Sequence, residues 1–82
     1  MMDPERIKQL IESHLPECTA VINNDMGDGE HFAAEVVSSA FDGLSLVKQH
    51  QLVYQALGDH MKSDIHALAL KTFTTAQWAQ RN

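Results

Sequence analysis

Apolar residues fall along this chain in two rhythms, and the switches between them divide it into seven elements. Ile7, Leu10, Ile11 and Leu15 recur at three- and four-residue steps, which places them on one face of an α-helix. Asp3 can accept from the free amides of the first turn and Pro4 suits the first helical position, so this helix starts there and stops before Pro16. Residues 18–23, from Cys18 to Asn23, are rich in β-formers and predict a short strand. The stretch Asn24 to Glu30 holds Gly27 and Gly29 among Asp25, Asp28 and Glu30, which is turn chemistry. From His31 to Ser38 the rhythm becomes two: Phe32, Ala34 and Val36 share one face, Ala33 and Glu35 the other. Two strands joined by a short glycine-rich loop make an antiparallel hairpin.

Phe41-Asp42-Gly43-Leu44 reads as a turn, and Ser45 caps the next helix. Leu46, His50, Val53 and Leu57 form its apolar stripe, widened by Val47 and Tyr54, and Gly58 ends it. Asp59 to Ser63 is a further helical turn. A third strand begins near Asp64, with Leu68 and Leu70 on a large apolar face and Ala67, Ala69 and Lys71 on a small one that ends in a charge. His66 shares the parity of the two leucines at the strand's start. Thr75 opens a short last helix, on which Trp78 can cover the open side of the core. A strand that returns to its sheet through a helical crossover lies parallel to the one before it. His31 and His66 therefore fall at the same end of the sheet, about 5 Å apart if their strands are neighbours and about 10 Å if one intervenes. Cys18 falls at the far end. The predicted fold class is α+β: a three-stranded mixed sheet with helices packed on one face, in the order α-β-β-α-α-β-α, as one domain over residues 1–82.

Composition narrows the setting. Eighty-two residues, 44% of them hydrophobic, build one small core and bury about 60–65% of the unfolded surface. A lone Cys18 leaves no internal disulfide, and no apolar run approaches signal-peptide or membrane-span length, so a soluble chain in a reducing cytoplasm is expected. A net charge of −5 opposes the broad attraction that dominates nucleic-acid affinity. No nucleophile stands with a base in a recognisable pattern, so an enzyme is not expected.

Asp28-Gly29-Glu30-His31-Phe32, Val37-Ser38, Phe41-Asp42-Gly43, His50 with Val53-Tyr54, and Ile65-His66-Ala67-Leu68 with Thr72 and Trp78 span nearly the whole chain. Together they resemble the BolA-like proteins, in the compact bacterial branch with a short first hairpin loop. The resemblance implies a fold similar to the type II KH domain. It also implies a non-enzymatic adaptor that binds a monothiol glutaredoxin, shares a [2Fe-2S] cluster with it and its glutathione, and acts in cluster trafficking or in iron and redox regulation. The isolated chain is then expected as a monomer without cluster, and the complex as a heterodimer. By the same resemblance His66, the histidine of the His-Ala-Leu run, is the cluster ligand on this side. The family takes its second ligand, Cys or His, from the loop between the first two strands. Here that loop has no Cys, and His31 at its exit is the inferred second ligand. Imidazole in place of thiolate removes negative charge from a cluster and raises its potential.

Plainer readings stand beside these. His50 is a packed helix histidine, His14 and His60 are surface residues, and no histidine pair has zinc spacing. Cys18 has no basic neighbour in sequence to lower its pKa. Asp25, Asp28 and Glu30 lack the EF-hand spacing and read as a solvated turn. The rival function is a KH-like, stress-linked nucleic-acid-binding regulator. KH domains clamp the backbone with Gly-x-x-Gly, whereas this chain has Gly58-Asp59-His60-Met61 there, and only Lys48, Lys62 and Lys71 to form a basic face. The docking surface for a protein partner is placed around the last strand and last helix.

Overall fold

The computed structural model describes residues 3–24, 31–63, 65 and 67–81. Asp3 caps helix α1 (Pro4–His14) by accepting from the Glu5 amide at 2.9 Å, with proline in the first turn as its fixed φ favours. Strand β1 (Thr19–Asn23) and strand β2 (His31–Val37) follow, then a 3₁₀ turn (Ser39–Phe41). Helix α2 (Leu46–Leu57) is capped by the Ser45 hydroxyl and closed by Gly58 at a φ of 55°. Helix α3 (His60–Ser63), strand β3 (Ala67–Phe73) and helix α4 (Thr75–Gln80) complete the order. Thr74 and Gln77 form a capping box on α4.

The sheet runs β1-β2-β3, with β1 antiparallel and β3 parallel to β2. The predicted mixed sheet is therefore present, with β2 and β3 as immediate neighbours. Ala20, Phe32, Ala34 and Val36 join Ile7 and Ile11 of α1, Val53 and Leu57 of α2, Phe41 and Ile65 in one buried cluster. The helices α1 and α2 thus cover the face that strand alternation had marked apolar.

Three polar arrangements hold this layer together. Glu12 accepts from the Ala20 amide at 2.9 Å and from Lys8 Nζ at 2.6 Å, while Lys8 also donates to the Ala20 carbonyl at 2.9 Å. Both outward backbone groups of Ala20 are therefore satisfied by α1. Gln49 is buried; its amide donates to the Leu44 and Phe41 carbonyls and its oxygen accepts from the Thr72 hydroxyl at 2.5 Å. Ser38 is also buried, donating from Oγ to the Pro16 carbonyl at 2.6 Å and from its amide to the Phe73 carbonyl.

Two details of the sequence reading change. The buried face of α2 is Gln49, Val53, Ala56 and Leu57, whereas Leu46, Val47 and Tyr54 are exposed. A hydropathy pattern does not mark a glutamine as core, yet here three hydrogen bonds offset its desolvation. Strand β3 starts at Ala67 rather than near Asp64, which lies outside the described residues. Ile65 ahead of it is buried and donates its amide to the His60 carbonyl at 2.8 Å.

Candidate functional site

Parallel pairing fixes what meets at the start of the sheet. His31 is the first residue of β2, half-buried, and its register partner is Ala67, the residue that follows His66 in sequence. His66 itself lies outside the described residues, as does the stretch 25–30 with Asp25, Asp28 and Glu30. The expected alignment of the two strand starts is present up to Ala67. Cys18 immediately precedes β1, whose Thr19 pairs with Val37, at the opposite end from His31. Burial, and then the charge of Glu12, push its thiol up to about 11. It is a protonated packing residue at neutral pH, not a ready nucleophile.

Away from the helices, the second face of the sheet carries Asn23, Ala33, Glu35, Ala69 and Lys71. These line a shallow trough of about 330 Å³ floored by the two alanines. At its Val37 end the trough meets an aromatic ridge: Phe73 and Trp78 stand edge to face, ring centres 5.3 Å apart. Arg81 lies 4.1 Å from the centre of the Trp78 ring and donates to both carboxylate oxygens of Glu35 at 3.3 Å. The paired fork and the ring fix the guanidinium, with a cation–π contribution of about 0.5–1 kcal/mol at a partly exposed site. Trp78 thus covers part of the sheet's second face, packed on Phe73. Lys71 is registered beside Glu35, but the acid takes Arg81, and among the described residues no acid pairs with the Lys71 ammonium beside the alanine floor.

The remaining histidines divide plainly. His14 is exposed, its ring 2.7 Å from the Leu10 carbonyl. His50 is half-buried and edge-on to Tyr54. His60 is half-buried rather than a surface residue. Among the described residues no three His, Cys, Asp or Glu side chains are arranged to hold a metal by themselves, and no helix is long and apolar enough to cross a membrane. Sequence reasoning passed over Gln49, Phe73 and Arg81. The spacing from Trp78 to Arg81 is a helical turn that carries both to one side, which was the only available signal.

Comparison with known proteins gives a consistent answer. The family described as BolA-like protein matches residues 2–77. A DNA-binding transcriptional regulator BolA from Vibrio cholerae serotype O1 is 44% identical over 81 residues, covering 92% of this chain and 76% of that protein. The structure of a BolA homologue from Coxiella burnetii superposes with a TM-score of 0.84 at 43% identity, covering 98% of this chain and all of that one. The BolA domain of SufE1 from Arabidopsis thaliana superposes with a TM-score of 0.78 at 35% identity, over 89% of this chain and 92% of that domain.

Proposed function

Because this chain belongs to the BolA-like family, we propose that it is a non-enzymatic adaptor that docks a monothiol glutaredoxin and co-ligates a [2Fe-2S] cluster carried between them. The observation that supports this best is the register of β2 on β3, which sets His31 opposite the residue after His66. His66 is next in sequence to the residue that pairs with His31, and the reading takes the two imidazoles as ligands of one iron. His66 is the primary ligand and His31 the second. The remaining thiolates come from the glutaredoxin and its glutathione. Imidazole ligation lowers the cluster's negative charge and makes it a better electron acceptor. The chain's own contribution is the ladder that sets His31 beside Ala67, the residue that follows His66 in sequence.

The test is a titration of a reconstituted glutaredoxin cluster followed by visible absorption and circular dichroism. Wild type is expected to give a new, saturating spectrum. His66→Ala is expected to abolish it, and His31→Ala to leave a weaker spectrum that needs an excess of protein. A wild-type titration that changes nothing in the spectrum rejects the reading.

A second reading draws on the Vibrio relative, whose name is that of a DNA-binding regulator. Helix α3 follows Gly58 where a KH domain carries its backbone clamp, but Asp59 lies 3.8 Å from Lys62 there and partly cancels its charge. Duplex binding that falls steeply with salt and survives His66→Ala would favour this reading over the first.

A further inference from the structure

Glu35 stands between two cations. Its register partner on the second face of the sheet is Lys71, on the neighbouring strand about 4.8 Å away and within reach of a four-carbon stem. From the other side Arg81, just past the end of α4, donates to both of its carboxylate oxygens at 3.3 Å. The arginine prevails because two parallel bonds and the Trp78 ring, 4.1 Å away, hold the guanidinium in place. A lysine offers only a point charge on a flexible stem.

The helix that carries this arrangement is loosely seated. Helix α4 has six residues, and none of them is buried. It is tied to the sheet by the half-buried rings of Phe73 and Trp78 and by the Arg81 fork, whose two side chains keep 37% and 31% of their surface exposed. Ion pairs so open to water contribute little. The helix can therefore leave the second face while the buried cluster under the first face stays closed.

We propose that α4 is a latch with two positions and that Glu35 is the switch between them. Latched, Glu35 holds Arg81, the rings of Phe73 and Trp78 pack edge to face, and Lys71 presents its cation beside the alanine floor. Released, Glu35 turns to Lys71 and neutralises it, while Phe73 and Trp78 part and each bares an apolar ring. The same face thus offers a cation or aromatic surface, and not both. An acidic partner that takes Lys71 selects the latched position, and by reciprocity the latched position strengthens its binding. The proposal does not depend on cluster binding.

Hydrogen exchange, read residue by residue by NMR on the full chain, tests it. The Trp78 amide donates to the Thr74 carbonyl at 3.0 Å and the Arg81 amide to the Trp78 carbonyl at 3.3 Å. A six-residue helix off the sheet does not persist in water, so release frees both amides, whereas the amides of β2 report opening of the core. In wild type the two α4 amides are expected to exchange faster than those of β2. Glu35→Gln is expected to speed their exchange by up to about fivefold, the range of an exposed pair. Lys71→Met removes the competitor for Glu35 and is expected to slow it by up to about the same factor. In the Glu35→Gln background, Lys71→Met is expected to change nothing, because the two residues act through one contact. Wild-type α4 amides that exchange no faster than those of β2 overturn the proposal, since release would then be global unfolding. So does a Lys71→Met variant that speeds exchange or leaves it unchanged, and so does one that acts equally whether position 35 holds the acid or the amide.

Discussion

Replacing Phe41 with alanine is expected to lower the stability of this domain by about 3–5 kcal/mol. Phe41 is the largest fully buried side chain among the described residues, although it sits in a 3₁₀ turn that the sequence marks only as a turn. The Asp42-Gly43 step that follows needs φ of 77° at Gly43, and this swings the chain so that the ring is directed inward while Leu44 returns its amide to the Phe41 carbonyl at 3.1 Å. Truncation removes the ring's transfer energy and leaves a cavity that helices on one side and a sheet on the other cannot close. A chain of 82 residues has about 4–12 kcal/mol in total, so the variant should be close to unfolded at room temperature. Urea unfolding followed by circular dichroism measures this. Val47→Ala is the control: with Val47 66% exposed, its loss should stay within about 0.5 kcal/mol. A Phe41→Ala midpoint as close to wild type as that of the control would show that the core is not organised around the turn.

The next largest effect belongs to Glu12. Its carboxylate is desolvated, which opposes its charge, but the Lys8 hydrogen bond and the Ala20 amide outweigh that and hold its pKa below the ordinary value. Glu12→Ala strands the Ala20 amide and takes one of two acceptors from the Lys8 amine, at a cost of about 1–3 kcal/mol. The folded-state pKa is the lower one, so the unfolded chain takes up the proton first. The contribution is complete above the unfolded value of about 4.3 and is lost as pH falls through the folded value. Wild type and Glu12→Ala should therefore differ at pH 7 and converge in acid. A difference that persists undiminished at about pH 2, well below the ordinary range, would remove the carboxylate from the account.

The sequence was most readable where one residue type and one period decide the outcome. The Asp3-Pro4 start, the alternating faces of β2, the Ser45 and Gly58 ends of α2 and the parallel return of β3 all follow from local chemistry or chain handedness. Helix α2 was harder because it carries two apolar faces. Leu46, Val47 and Tyr54 look as buriable as Val53 and Leu57, and the choice is made by Gln49 meeting Thr72, which is 23 positions away. Lys8 and Glu12 are visible in sequence as an i, i+4 pair, but nothing local shows that their target is the Ala20 backbone. Of the candidate site, the strand starts and the remoteness of Cys18 were legible; the clasp of Arg81 on Glu35 joins residues 46 positions apart and was not.

The pairing of β2 with β3 also sets an order of events. The hairpin brings Asn23 to Ala33 across a short loop, whereas β3 brings Ala67 to His31 across 36 positions. Closing the longer loop costs about 1 kcal/mol more in chain entropy, so the hairpin should be formed in the folding transition state and β3 should dock after it. In stopped-flow kinetics Ile22→Ala should slow folding, and Leu70→Ala should mainly speed unfolding. Equal slowing by both would place β3 in the nucleus. If β3 docks last, the strand start beside His31 exists only in molecules that have finished folding, and whatever binds there acts as a proofreader of the completed chain.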